Sequence, residues 1–262
     1  MAALRFGLIP RGDAGDARER DFVAAVAQAL NCDVEVHRAA DYRMVLAGLE
    51  QRLVDLAWLP PIVGARAIRA HLAEVVATVV RYGDTSYTTA LVTRADSEIR
   101  TLGDLRNVRV AWVDRESASG YAVLRHALAK TGLRLADAFS QEIFVRSHAA
   151  VARAVLEGQV DVGATCGHSE ASGIRLARSP FAGDAVLAGA ELRSVFEAGP
   201  IPADLFAVHP SAPARVRTML ERALLNGIPD RVHAAARALT FADAFAAPTS
   251  EHRRMLEALV DT

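Results

Sequence analysis

Strand-like and helix-like patterns alternate along this chain, and that alternation is the feature that most restricts its fold. Leu4-Arg-Phe-Gly-Leu-Ile9 reads as a strand, and a helix follows over about 17–30. Asp33-Val-Glu-Val-His37 alternates as a half-buried strand does, Asp41 caps a helix over 42–51, and Val54-Asp-Leu-Ala-Trp-Leu59 is the next strand, stopped by Pro60-Pro61. A helix over 62–71 and a strand over 74–80 complete this half. Strands alternating with helices imply parallel β-α-β units with right-handed crossovers. The expected class is therefore α/β.

The second half runs on in the same manner. Tyr87-Thr-Thr-Ala-Leu-Val-Thr93 leads to a short capped helix over 97–105, and Val108-Arg-Val-Ala-Trp-Val113 is an apolar strand. A helix ends at Gly132, a strand covers 139–144, a helix capped by Ser147 covers 148–157, and Val160 to Ala164 is a strand. The stretch 166–200 shows no clear period. Leu205 to His209 is a strand, and the rest is helical from Pro213, interrupted at 227–229.

Two segments repeat one another. Tyr42 stands thirteen residues before Asp55, and His148 thirteen before Asp161. Each follows a capping residue and opens a helix that leads into Val-Asp-apolar. This predicts two similar α/β lobes with Tyr42 and His148 at equivalent helix starts. In open α/β sheets that end of the helix lies at the carboxyl edge of the strands, where ligands bind. Asp55 and Asp161 are expected to be structural.

The stretch Asp114-Arg-Glu-Ser-Ala-Ser-Gly-Tyr121 joins the strand at 108–113 to the following helix. Ser117, Ser119 and Gly120 thus stand at a strand-to-helix turn. The first N–H groups of a helix have no intrahelical acceptor and carry the positive end of its dipole. With two serine hydroxyls beside them, they suit a small oxyanion. A plain capped helix would carry the same residues.

Composition narrows the function. The chain of 262 residues is 52% apolar with a net charge of −1, which argues against nucleic acid as partner. Lys130 is the sole lysine, and its place at the far end of a helix leaves little scope for Schiff-base chemistry. Cys32 and Cys166 fit no metal spacing. Cys166, His168 and Glu170, with His148, suit no standard zinc motif. No run approaches the roughly 20 apolar residues of a membrane span, and the N-terminus lacks the charged and apolar regions of a signal peptide. As the sequence stands the expected location is cytoplasmic; a trimmed chain would be periplasmic or lipid-anchored.

Taken in order, several stretches resemble the phosphate/phosphite/phosphonate-binding proteins of ABC transporters, which have the type II periplasmic-binding-protein fold. They are Asp41-Tyr42, Val54-Asp-Leu-Ala-Trp-Leu-Pro60, Tyr87 with Leu91-Val-Thr-Arg94, and Leu102-Gly-Asp-Leu105. Val108 to Val113, Ser117-Ala-Ser-Gly-Tyr121, Ser147-His148 with Val155 to Asp161, and Ile201-Pro-Ala-Asp204 complete the series. The resemblance implies two lobes, residues 1–89 with 206–262 and residues 90–205, joined by strands near 88–93 and 203–208. Each lobe is then a mixed, mostly parallel sheet flanked by helices, and the two close on a ligand.

The family's ligand positions carry over to Tyr42, Tyr87, Ser117, Ala118, Ser119, His148 and Asp204. Ala118 stands where the family often has threonine, so one hydroxyl is lost and the backbone N–H kept. Glu170 is a weaker candidate for an acidic residue that would meet a ligand amine. An aspartate at 204 only accepts unless protonated, so it would select a P–OH or an ammonium group. The implied function is capture of a phosphonate, phosphite or phosphate, without catalysis or cofactor, by a monomer. A permease or a signalling partner would read the ligand state. An enzyme or a cytoplasmic sensor on the same fold is the alternative.

Overall fold

The computed structural model describes residues 3–8, 16–170, 173–176, 192–226 and 230–260. The chain divides into two compact units, Met1–Ser86 with Pro202–Asp261, and Tyr87–Ile201. Unit 1 opens with β1 (Leu4–Leu8), α1 (Asp16–Leu30), β2 (Val34–Arg38), α2 (Tyr42–Glu50), β3 (Leu56–Leu59), α3 (Pro61–Arg69) and β4 (Glu74–Val80). The chain enters unit 2 with β5 (Ser86–Arg94) and β6 (Val108–Trp112). A single π-helical turn, Ala118–Ala122, runs directly into α4 (Val123–Lys130), followed by α5 (Leu135–Ala138), β7 (Phe139–Phe144) and α6 (His148–Leu156). The strands β8 (Val162–Glu170), β9 (Gly173–Leu176) and β10 (Leu192–Pro202) come next. The return to unit 1 supplies β11 (Leu205–Val208), α7 (Ala214–Leu225), α8 (Arg231–Thr240), β12 (Ala244–Ala246) and α9 (Ser250–Val260).

Unit 1 holds a sheet in the order β12-β4-β11-β3-β1-β2, and unit 2 one in the order β10-β5-β8-β6-β7, with β9 added to β8. Within unit 1, β1 is parallel to β2 and β3, while β11 runs antiparallel between β3 and β4. In unit 2, β6 is parallel to β7 and β8, and β5 is antiparallel to β8. The inner strands β3 and β6 are largely apolar, as strands covered on both faces are. All four residues of β3 are buried, as are Val110, Ala111 and Trp112 of β6. In unit 1 the core is built on Phe6, Phe22 and Phe206, with ring centroids 4.9 and 5.6 Å apart. Trp112 holds the core of unit 2, edge-on to Phe139 at 5.6 Å.

Several expectations need correction. A helix over 97–105 does not form; only Leu102–Asp104 coils, as a 3-10 turn boxed by Thr101 and Asp104. The carbonyls of Ala95, Ser97 and Ile99 instead accept from the Arg193 guanidinium at 2.8–2.9 Å. Leu205–Val208 is an inner strand of unit 1, and the division between the units falls just before it, at Ile201/Pro202. β10 and β12 fall where no strand was expected, since neither alternates cleanly, and the expected break at 227–229 lies outside the described residues. Cys32 and Cys166 are not joined in a disulfide.

The repeat seen in the sequence is a repeat of structure. In unit 1 the Asp55 carboxylate accepts from the Arg5 N–H at 2.8 Å and from its guanidinium at 3.0 and 3.0 Å. In unit 2 Asp161 accepts from the Arg109 N–H at 2.7 Å and from its guanidinium at 3.1 and 2.7 Å. Each aspartate thus clips the amino end of a core strand to its parallel neighbour, opposite the carboxyl edge, in the structural role expected of it. The Arg109 side-chain hydrogen bond, with help from the backbone, holds the Asp161 carboxyl below its usual range against the opposing effect of burial.

A depressed carboxyl stabilises the fold fully above its unfolded pKa of about 3.9 and loses that contribution as pH falls below it. Asp161→Asn should cost about 1–2 kcal/mol at neutral pH, the lower part of the range for charged hydrogen bonds because the pair is part exposed. In thermal melts the gap between wild type and variant should close as pH falls below about 4. A gap that stays constant down to that range would show that the charge of Asp161 is not what stabilises the clip.

Candidate functional site

Five of the sequence-derived positions, Tyr87, Ser117, Ala118, Ser119 and His148, lie toward the carboxyl edge of the unit 2 sheet. β6 ends at Trp112, and the chain turns through Asp114, whose carboxylate accepts from the Glu116 N–H at 2.8 Å. Ser117 caps the helix that follows, its Oγ accepting from the Gly120 N–H at 3.1 Å. Capping uses a lone pair and leaves the Ser117 O–H free to donate. Ser117 and Ser119 are 3% and 2% exposed. Among the described residues the Ser119 hydroxyl makes no hydrogen bond. By position, the N–H groups of Ala118 and Ser119 precede any intrahelical acceptor. A buried helix start with idle hydroxyls and N–H groups is a donor set for an anion. The π-turn here is a distortion of the kind that recurs at functional sites.

Gly120 is obligatory in this turn. A Cβ there would lie 2.4 Å from the Val113 Cβ and 2.8 Å from the Ser117 Oγ. Val113 is itself the pivot of the edge. Its N–H donates to the Gly120 carbonyl at 3.1 Å, and its carbonyl accepts from the Arg146 N–H at 2.8 Å. Arg146 adopts a left-handed conformation, φ 68°, which costs a non-glycine residue roughly 1–2 kcal/mol. The bond to Val113 holds it there and delivers the next residues, Ser147 and His148. Ser147 caps α6 by accepting from the Ala150 N–H at 3.1 Å, and His148 is the first residue of that helix.

Buried threonines tie the two helix starts to the sheet. The Thr89 hydroxyl lies 2.6 Å from the Ser119 carbonyl and 3.1 Å from the Thr165 carbonyl. The Thr165 hydroxyl lies 3.3 Å from the His148 Nδ1. Thr89 and Thr165 are both fully buried. Sequence reasoning missed these residues, because threonine in a strand gives no sign of which carbonyl its hydroxyl will meet. Tyr87, partly buried, stands at the start of β5, which runs antiparallel to β8, so it too lies toward the carboxyl ends of β6 and β8.

In unit 1, Tyr42 opens α2, capped by Asp41, which accepts from the Met44 N–H at 2.9 Å. This matches the placement of His148 after Ser147. Tyr42 is 7% exposed and belongs to a core cluster with Val45, Leu49 and Val63, so packing occupies much of its ring. Asp204 precedes β11 at the carboxyl edge of β3 and β4. Its carboxylate is paired with Arg81 at 2.9 Å, and the same guanidinium donates to the Thr240 carbonyl at 3.1 and 2.7 Å. The Asp204 carbonyl accepts from the Val79 N–H at 3.0 Å. A carboxylate paired with an arginine repels an anion less than a lone one, while its oxygens still only accept. The side chain of Glu170 lies outside the described residues.

The comparisons with known proteins agree with one another. The family described as "ABC transporter, phosphonate, periplasmic substrate-binding protein" matches residues 6–252. Among solved structures, the chain is similar to a binding-protein component of an ABC phosphonate transporter from Pseudomonas aeruginosa. Identity is 22% and the TM-score 0.80, over 99% of this chain and 86% of that one. It is similar to PhnD1 of Prochlorococcus marinus in complex with methylphosphonate, at 19% identity and TM-score 0.77, over 98% and 96% of the two chains. XAC2383 of Xanthomonas citri, bound to chloride, matches at 21% identity and TM-score 0.77, over 99% and 96%. The type II periplasmic-binding-protein fold is common to these structures and the present one.

Substitutions at two places test these contacts. Gly120→Ala must displace Val113 or the serine turn, and should destabilise unit 2 by about 1–3 kcal/mol as overpacking does. Asp204→Asn leaves the Arg81 guanidinium short of its counter-charge. It should lower the melting temperature, whereas the double substitution Arg81→Met with Asp204→Asn should recover part of the loss. A melting temperature unchanged by Asp204→Asn would remove Asp204 from the supports of unit 1.

Proposed function

The chain belongs to the periplasmic substrate-binding proteins of phosphonate ABC transporters, and we propose that its own ligand is a phosphonate, phosphite or phosphate bound without chemical change. The observation that carries this reading is the pair of nine-tenths-buried serines at the start of the helix Ala118–Lys130. Ser119 has an idle hydroxyl and Ser117 an O–H left over after capping. The oxygens of a phosphonate need donors, and the turn supplies hydroxyls and backbone N–H groups in one place.

His148 adds an imidazole from an adjoining helix start. Its Nδ1 lies 3.3 Å from the Thr165 hydroxyl. Methylphosphonate in a neighbour of the same fold is consistent with this ligand class. Tyr87 and, from unit 1, Tyr42 and Asp204 are proposed further contacts. A transporter permease is the proposed partner, in keeping with the family.

Calorimetry with phosphate, phosphite and methylphosphonate provides the test. Ser117→Ala with Ser119→Ala should weaken whichever ligand binds, each lost hydrogen bond to a charged oxygen costing about 1.5–3 kcal/mol. Tyr42→Phe, measured alongside, reads the contribution of unit 1. Unchanged affinity in the double serine variant would show that the turn is a capped helix and nothing more.

A further inference from the structure

The tautomer of His148 follows from what surrounds Thr165. Thr165 lies in β8, opposite Ala90 of β5, and is fully buried. Its carbonyl is met by the Thr89 hydroxyl. Its own hydroxyl has one partner among the described residues, the His148 Nδ1 at 3.3 Å. A hydroxyl carries one hydrogen and needs an acceptor for it. If Nδ1 were protonated and donated to Thr165, the threonine hydrogen would be left buried without an acceptor, which costs about 1–3 kcal/mol. If Thr165 donates to Nδ1, its buried hydrogen is satisfied, and the remaining N–H stands on the partly exposed imidazole rather than on the fully buried threonine.

We infer that Thr165 is a positioning residue that holds His148 as the neutral Nε2–H tautomer, so that the imidazole presents a hydrogen-bond donor on the side of the ring away from the sheet. The main-chain frame supports this. α6 starts at His148 under the Ser147 cap, and the preceding loop is pinned by the Arg146 bond to Val113. With Nδ1 tied to β8, the ring has little freedom to turn. Thr89 completes the arrangement by bridging Thr165 to the carbonyl of Ser119, so the imidazole and the serine turn are referred to the same two strands. The role of Nε2–H as a ligand donor rests on the oxyanion reading above; the tautomer itself does not.

The full chain, labelled with nitrogen-15 histidine, decides between the tautomers, with His148 assigned by comparison with His148→Gln. The free protein at neutral pH should show a protonated Nε2 and an unprotonated Nδ1. Thr165→Val, which keeps the shape and removes the hydroxyl, should mix the tautomers and weaken methylphosphonate binding roughly three- to tenfold, the scale of one hydrogen bond. Thr165→Ser should restore both. Near-wild-type circular dichroism in Thr165→Val, or rescue by Thr165→Ser, separates this from misfolding. A protonated Nδ1 in the wild type, or an unchanged tautomer in Thr165→Val, overturns the inference. An Nε2–H signal that depends on Thr165, with no binding of phosphate, phosphite or methylphosphonate, upholds the positioning role and overturns the ligand assignment instead.

Discussion

The candidate site depends on the two backbone hydrogen bonds of Val113. This residue follows the last one of β6 and is 1% exposed. Its N–H holds the Gly120 carbonyl and its carbonyl holds the Arg146 N–H. The first bond fixes the serine turn; the second fixes the loop that delivers Ser147 and His148. Its side chain fills the space that a Cβ on residue 120 would need. One buried strand end therefore sets the distance between two helix starts. Neither loop could be repositioned without breaking a buried backbone pair, which is costly away from water.

The aspartate clips and the candidate site stand at opposite ends of the strands. At the amino ends, Arg5–Asp55 and Arg109–Asp161 clip neighbouring parallel strands with three hydrogen bonds each. At the carboxyl ends stand the helix starts. The clips recur in both units with the same atoms, while the helix-start residues differ, Tyr42 in one and His148 in the other. Variation at the carboxyl edge is what open α/β sheets permit, because that edge is made of loops and not of core. The arginine beside Asp204 fits the same division. It makes the carboxylate part of the frame of unit 1, bonded through Arg81 to the end of α8.

Periodicity and capping made much of this legible from the sequence. The alternation of strand and helix, the capped starts at Tyr42 and His148, and the strand-to-helix turn at Ser117–Gly120 are local properties. Each depends on residues within a few positions of one another, where side-chain spacing and backbone geometry decide the outcome. The thirteen-residue correspondence was enough to place Asp55 and Asp161 as equivalents. The helix expected over 97–105 failed for the opposite reason. Its carbonyls are taken by Arg193, about ninety-five residues away in sequence, and no local pattern carries that information.

The tertiary structure alone decided which polar groups meet. The Thr89 hydroxyl reaches the carbonyls of Ser119 and Thr165 across separations of 30 and 76 residues, and Asp204 reaches Arg81 across 123. Such partners are chosen by strand register and by the sheet order β5-β8-β6, quantities that the sequence specifies only through the whole fold. The sequence by itself determined the class of fold, the places where helices begin and the residues available there. The folded chain determined which of those residues share an edge, which are held by threonine, and that Asp204 is a paired charge. The reason is range: helix starts and strand periods are set by neighbours in sequence, whereas buried hydrogen bonds are set by neighbours in space.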